Sequence, residues 1–168
     1  KAGQVTGIRF FKGAGNTGVH KGSRWSSSGT RLAEVTFVGE TATGWQTAML
    51  STPVTVTAGT TYVVSYFAPN GHYATTSSFF GSGFTSGDLS VPAGANGKYL
   101  YGNGGFPTFS WNSTNYWVDV VFEKDPSAVT VASQAPAAGA TGVTADVAPR
   151  ITFSDAIAAT GWSMTVRQ

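Results

Sequence analysis

Asn115-Tyr116-Trp117-Val118-Asp119-Val120-Val121-Phe122-Glu123 is the most regularly alternating stretch of this chain. Successive side chains of an extended strand point to opposite faces, so Tyr116, Val118, Val120 and Phe122 fall on one side and Trp117, Asp119, Val121 and Glu123 on the other. The first set is the more apolar and predicts the face turned to a core. Working outward, the same period of two recurs over residues 5–11, 31–37, 45–50, 54–56 and 61–68, with turn pairs such as Ser28-Gly29 and Ala58-Gly59 between them. Strands at spacings of about ten residues predict an all-β fold: an antiparallel β-sandwich of jelly-roll or Ig-like kind.

Composition limits what such a fold can do. Five Trp, six Tyr and eleven Phe stand among only eight carboxylates, two His and no Cys. Aromatic rings bind apolar or sugar faces without a titrating group, whereas hydrolysis and metal chemistry need acids, bases or ligands brought together. The balance predicts binding and no enzyme. The charged fraction is 11% against 41% hydrophobic, which is a weakly charged folded surface and not a disordered chain. Net charge is +2, with no run of Lys or Arg to neutralise phosphates, so nucleic acid is not an expected partner. No apolar run approaches the length of a membrane span, and without Cys there is neither a disulfide framework nor a thiolate metal site. Polar Thr/Ser/Gly-rich β-modules of this composition predict a secreted, extracellular protein.

Catalytic constellations are missing from the pattern. Glu34 and Glu40 lie in and just after an early strand, and Asp88 stands alone, so no pair of acids is positioned for glycoside hydrolysis. His20 and His72 have no triad setting, and the Gly81-Ser82-Gly83 stretch is loop composition. The glycines of Gly13-Ala14-Gly15-Asn16-Thr17-Gly18 lack the Gly-Lys-Ser/Thr ending of a phosphate loop and predict a hairpin loop. No cofactor is expected. A structural calcium held mostly by backbone carbonyls, with Asp88 or Asp119 as side-chain ligand, fits such sandwiches.

Binding candidates fall in two groups. Trp117 and Asp119 would share the outer face of their strand, the ring covering a sugar C–H face and the carboxylate accepting from hydroxyls. The competing reading puts Trp117 under a loop and pairs Asp119 with an arginine. The second group lies in the irregular segment 69–110 and just beyond it, which is long for a connection in a compact domain. There His72, Tyr73, Tyr101, Trp111 and Asn112, with Tyr99 nearby, could form one aromatic platform or fill a satellite core beneath the loop. Residues 72–76 and 98–101 read as short strands in this segment. Trp25 and Trp45 read as core anchors.

Four ordered motifs resemble a known family: Gly7-Ile8-Arg9-Phe10-Phe11-Lys12-Gly13, Gly44-Trp45-Gln46-Thr47, Tyr66-Phe67-Ala68-Pro69-Asn70-Gly71-His72-Tyr73 and Asn115-Tyr116-Trp117-Val118-Asp119-Val120-Val121-Phe122. Together they are similar to DUF4082, a bacterial domain family of unknown function found in secreted multi-domain proteins beside Ig-like repeats and polysaccharide-directed modules. The resemblance implies a β-sandwich over residues 1–124. A linker is expected at 125–128. Residues 129–168, from Ala135-Pro136-Ala137-Ala138-Gly139 onward, resemble the opening of a bacterial Ig-like domain and predict a short C-terminal β segment. The family resemblance also implies a strand ahead of Lys1, whose absence would leave an edge for the tail or a neighbouring chain to fill. Two functions follow as expectations. One is a non-catalytic module binding a polysaccharide or cell-surface glycan within a larger protein, next to neighbouring modules of the same chain. The other is a structural or adhesive spacer that assembles through open strand edges by strand exchange.

Overall fold

A computed structural model describes residues 1–94, 96–125, 131–144 and 146–154, and among these the chain is β-structure joined by turns and loops, without helix. It divides into two units, Lys1–Asp125 and Pro126–Gln168. In the first, the strands are β1 (Gly3–Lys12), β2 (Lys21–Ser26), β3 (Arg31–Thr36), β4 (Gly44–Val56), β5 (Tyr62–Phe67), β6 (Phe84–Ser86), β7 (Leu89–Val91), β8 (Lys98–Tyr99), β9 (Phe109–Ser110) and β10 (Val118–Lys124). The sheets β10-β1-β4 and β3-β2-β5 form an antiparallel sandwich, and β6-β7 and β8-β9 are short ribbons in the segment between β5 and β10. In the second unit β11 (Val131–Ala135) pairs with β12 (Arg150–Phe153). The expected linker lies, beyond Asp125, outside the described residues, as does the end of the tail segment from residue 155.

The register of β1 explains how its sequence builds a core. Val5 and Ile8 are three apart, which would put them on opposite faces of a regular strand. Pairing with β10 passes from Val5↔Phe122 to Gly7↔Val121, so one extra residue, Thr6, is accommodated as a bulge. Val5, Ile8 and Phe10 are thereby all buried. Phe10 stacks on Tyr66 of β5 with centroids 4.3 Å apart and meets Phe37 edge-on at 4.8 Å. Ala48, Val35, Val64 and Val118 complete a cluster drawn from both sheets. Val118 pairs with Phe10 and Val120 with Ile8, so the core face expected for this strand is the one it turns inward.

Several elements differ from the expected ones. The loop after β1 is no hairpin: β1 and β2 belong to different sheets, so residues 13–20 cross from one to the other. A buried network holds this crossover. His20 Nδ1 lies 2.8 Å from Glu40 Oε2, its Nε2 2.8 Å from Asn16 Oδ1, and Lys12 Nζ donates to Glu40 at 2.8 Å. The stretches 45–50 and 54–56 are one strand, β4, whose residues between Met49 and Val54 are displaced from the β1 ladder. The last strand begins at Val118 because Trp117 takes a positive φ of 50°. The strand expected over 72–76 reduces to a single bridge, Thr76↔Asn115.

Candidate functional site

The connection from β5 to β10 is built back onto itself. Besides the Thr76↔Asn115 bridge, Ser78 N–H donates to the Asn112 carbonyl and Phe80 N–H to that of Ser113, each at 2.9 Å. Thr114 N–H closes a turn on the Trp111 carbonyl at 3.0 Å, with Asn112 and Ser113 in the left-handed region. These bonds fix the 111–115 turn and leave the Trp111 side chain 68% exposed at its tip. Pairing of Lys98 with Ser110 and Tyr99 with Phe109 brings the 98–101 segment beside it.

Between them lies a cleft of about 350 Å³ walled by Tyr73, Tyr99, Tyr101, Trp111 and Tyr116, with Thr75 and Ser77. The tyrosines hold one another in place. Tyr99 meets Tyr101 at 5.4 Å and Tyr116 at 6.1 Å, Tyr73 meets Tyr116 at 5.8 Å, and the Tyr73 and Tyr101 hydroxyls are 2.8 Å apart. That hydrogen bond, burial and the neighbouring phenols push Tyr73 up to about 12. Burial, with Tyr99 and Tyr101 close by, raises Tyr116 as well. Both shifts favour the protonated phenol, which can donate or accept a hydrogen bond.

The same tyrosines form one end of a groove of about 850 Å³. Its floor is the outer face of β2 and β5, with Ser23, Trp25, Ser65 and Phe67, and its wall is the 98–107 segment. Trp25 is the anchor expected of it: 7% exposed, donating from Nε1 to Ser65 Oγ at 2.9 Å and edge-on to Phe106 at 5.8 Å. Among the described residues lining groove and cleft, Glu34 is the one carboxylate, and Lys21 and Arg31 both pair with it.

The sequence candidates thus divide. Tyr73, Tyr101 and Trp111 come together in the cleft, and Asn112 sits at its rim, its Nδ2 donating to Ser77 Oγ at 2.6 Å. His72 does not join them. With a φ of 55° it lies against the crossover loop, where a Cβ at Gly15 would meet its ring at 3.4 Å. Trp117 and Asp119 lie on the outer face of the β10-β1-β4 sheet. There the Trp117 indole is half-buried, donates to Thr76 Oγ1 at 3.0 Å and packs on Phe79 at 5.4 Å, while Asp119 accepts from Arg9 Nε at 3.0 Å. The ring packs against the 76–79 segment and the carboxylate is engaged by Arg9, as the competing reading of the sequence had it.

Trp45 corrects a second expectation. It is 44% exposed beside Phe11, with the Arg9 guanidinium 4.8 Å above its ring, and anchors no core. The expectation failed because β4 presents Gln46 and Ala48, not Trp45, to the interior. Asp88, the other calcium candidate, pairs with Lys1 at 3.1 Å. No group of three or more His, Asp or Glu side chains converges on a point among the described residues. Tyr116, placed on the core face by alternation, proves to be a cleft wall. The signal that could have found it is the concentration of tyrosines between 73 and 116, far above the rest of the chain.

The profile of the family described as "Domain of unknown function (DUF4082)" matches residues 1–118, a span that includes every residue of the cleft and groove. Neither a curated protein nor a solved structure matches the chain.

Proposed function

The chain belongs to the DUF4082 family, and from that premise we propose that it is a non-catalytic glycan-binding module of a secreted multi-domain bacterial protein, with the tyrosine cleft as its sugar site. The observation that carries the reading is Trp111: a large ring left 68% exposed on a hydrogen-bonded turn, beside a cleft of phenols. An indole face suits the C–H face of a pyranose, and the tyrosine, Thr75 and Ser77 hydroxyls supply the donors and acceptors that sugar hydroxyls need. One ring contributes about 0.5–1.5 kcal/mol beyond area burial, so the module binds weakly and gains from repetition or from neighbouring modules.

Retention on a panel of insoluble polysaccharides tests this. Trp111→Ala and Tyr101→Ala are expected to weaken retention with the melting temperature of Trp111→Ala unchanged, since most of its ring faces solvent. Equal retention by both variants and the parent, or no retention on any polysaccharide, would sink the reading.

The spacer alternative has one observation in its favour: β10, β4, β3 and β5 each pair on one side only among the described residues. The β4 edge is interrupted by Pro53 and by the displaced stretch before Val54, features that discourage strand addition. A mass that rises with concentration in sedimentation experiments would favour the spacer.

A further inference from the structure

The charges of the first unit are unevenly placed. Lys1–Asp125 holds eight basic and six acidic side chains. Three of the basic ones, Lys21, Arg31 and Lys98, line the groove against a single acid, Glu34. The rest of the unit is balanced at five and five. The whole positive excess of the unit therefore sits in the groove that leads from the tyrosine cleft.

Within that group the compensation is partial. Glu34 is shared between Lys21 at 3.2 Å and Arg31 at 2.5 Å, so one carboxylate serves two cations. Lys98 has no ion-pair partner among the described residues. It is exposed, is fixed to the β8-β9 ribbon by its pairing with Ser110, and adjoins Tyr99, which lines both cleft and groove. Elsewhere in the unit, Lys1 and Arg9 each pair with a carboxylate and Lys12 shares Glu40 with His20; Arg24 and Lys124 also have no ion-pair partner among the described residues, but Arg24 is buried and neither lines the groove. An unpaired ammonium in the groove, next in sequence to a tyrosine that the groove shares with the cleft, is placed to meet an anionic group on a ligand whose neutral part lies against the rings.

Resting on the glycan reading above, we infer that the ligand is an acidic polysaccharide, extended from the cleft into the groove, with its carboxylate or sulfate groups held by Lys98 and by the Lys21 and Arg31 pair. A chain occupying both cavities explains why they share four tyrosine walls. Single-stranded nucleic acid also combines anionic charge with stackable rings, but a phosphate at every nucleotide calls for a track of cations, and the groove has an excess of two.

Affinity electrophoresis of the full chain separates the cases, using polygalacturonate, dextran sulfate, unsubstituted dextran, neutral glucomannan and poly(dT) as probes. Polygalacturonate or dextran sulfate is expected to retard the protein, and which one does so identifies the acid group. Lys98→Gln is expected to weaken that binding at least fivefold at unchanged melting temperature, and Tyr101→Ala to weaken it also. Full binding by Lys98→Gln, binding to acidic probes that is indifferent to Tyr101→Ala, or poly(dT) binding as tight as the acidic glycan overturns the inference. Retardation by glucomannan or dextran in preference to the acidic probes, sensitive to Tyr101→Ala, overturns it and leaves the glycan reading standing. No retardation by any polysaccharide removes both.

Discussion

A Cβ placed on Gly97 would lie 1.5 Å from the Thr114 carbonyl oxygen, closer than any rotamer change can relieve because the obstacle is backbone. Gly97→Ala must push the 98–101 segment away from the 111–115 turn, and these are the two sides of the cleft. We expect a loss of about 1–3 kcal/mol, in the range of overpacked sites, read as a lower thermal midpoint together with weaker polysaccharide retention. Tyr73 offers a spectroscopic check on the cleft. Its titration, held up to about 12 first by the Tyr101 hydroxyl, is expected to move down toward the ordinary phenol range in Tyr101→Phe, as followed by phenolate absorbance. Tyr66, raised to about 12 chiefly by its own burial and also by the neighbouring Tyr73, should not fall in the same variant. At this scale the sequence was partly readable. Tyr73, Tyr101 and Trp111 were recognisable because aromatic residues in a Gly- and Asn-rich loop have no strand face to bury them. For Trp117 the sequence left two readings open, and the structure matches the one that puts it under a loop with Asp119 paired to an arginine; what decides between them, cover from the 76–79 segment, comes from contacts forty residues apart in the chain.

Among the elements, β1 carries the core and the crossover loop after it carries the connection between sheets. Phe10 contacts Phe37, Tyr66 and His20, so Phe10→Ala is expected to cost about 3–5 kcal/mol, measured by denaturant unfolding. The crossover makes stability depend on acid. Burial works to raise the Glu40 carboxyl, and hydrogen bonds from Lys12 and His20 outweigh it, leaving Glu40 below its ordinary value. A carboxyl lowered in the folded state contributes stability that is present above its unfolded value and is lost as pH falls through the folded one. The melting temperature should therefore fall on acidification below roughly pH 4.5, and Glu40→Gln should flatten that part of the profile while lowering the plateau at neutral pH. β2 shows why one strand escaped the alternation pattern. Its inward positions are Gly22 and Arg24 and its outward ones include Trp25, the reverse of an apolar-in, polar-out strand. Gly22 is required there because a Cβ would meet Ile8 Cγ2 at 2.9 Å where the two sheets close, and the Arg24 guanidinium lies 4.1 Å over the Tyr62 ring while donating to the Thr55 carbonyl at 3.1 Å.

At the scale of the whole molecule, a net charge of +2 says little until its location is known. Because the excess of the first unit collects in one groove, binding to an acidic polysaccharide should weaken steadily as salt is raised through about 0.1 M, where the screening length is roughly 10 Å. The stacking component at Trp111 should persist, so retention is expected to fall without vanishing, and Lys98→Gln should reduce the salt dependence. A titration of retention against sodium chloride for both proteins measures this. The second unit contributes a β11-β12 pair of its own, and the family match, the cleft and the groove all fall within the first.

The sequence by itself determined the all-β class and the inward face of β10, since period and turn residues are local properties that need no partner to be read. Tertiary structure decided the rest. Which of the four described tryptophans reach water, which carboxylate is already occupied, and where a small surplus of positive charge accumulates all depend on segments distant in the chain meeting across a sheet or a loop. Those meetings are set by packing and by a one-residue bulge in β1, and no single stretch of the sequence displays them.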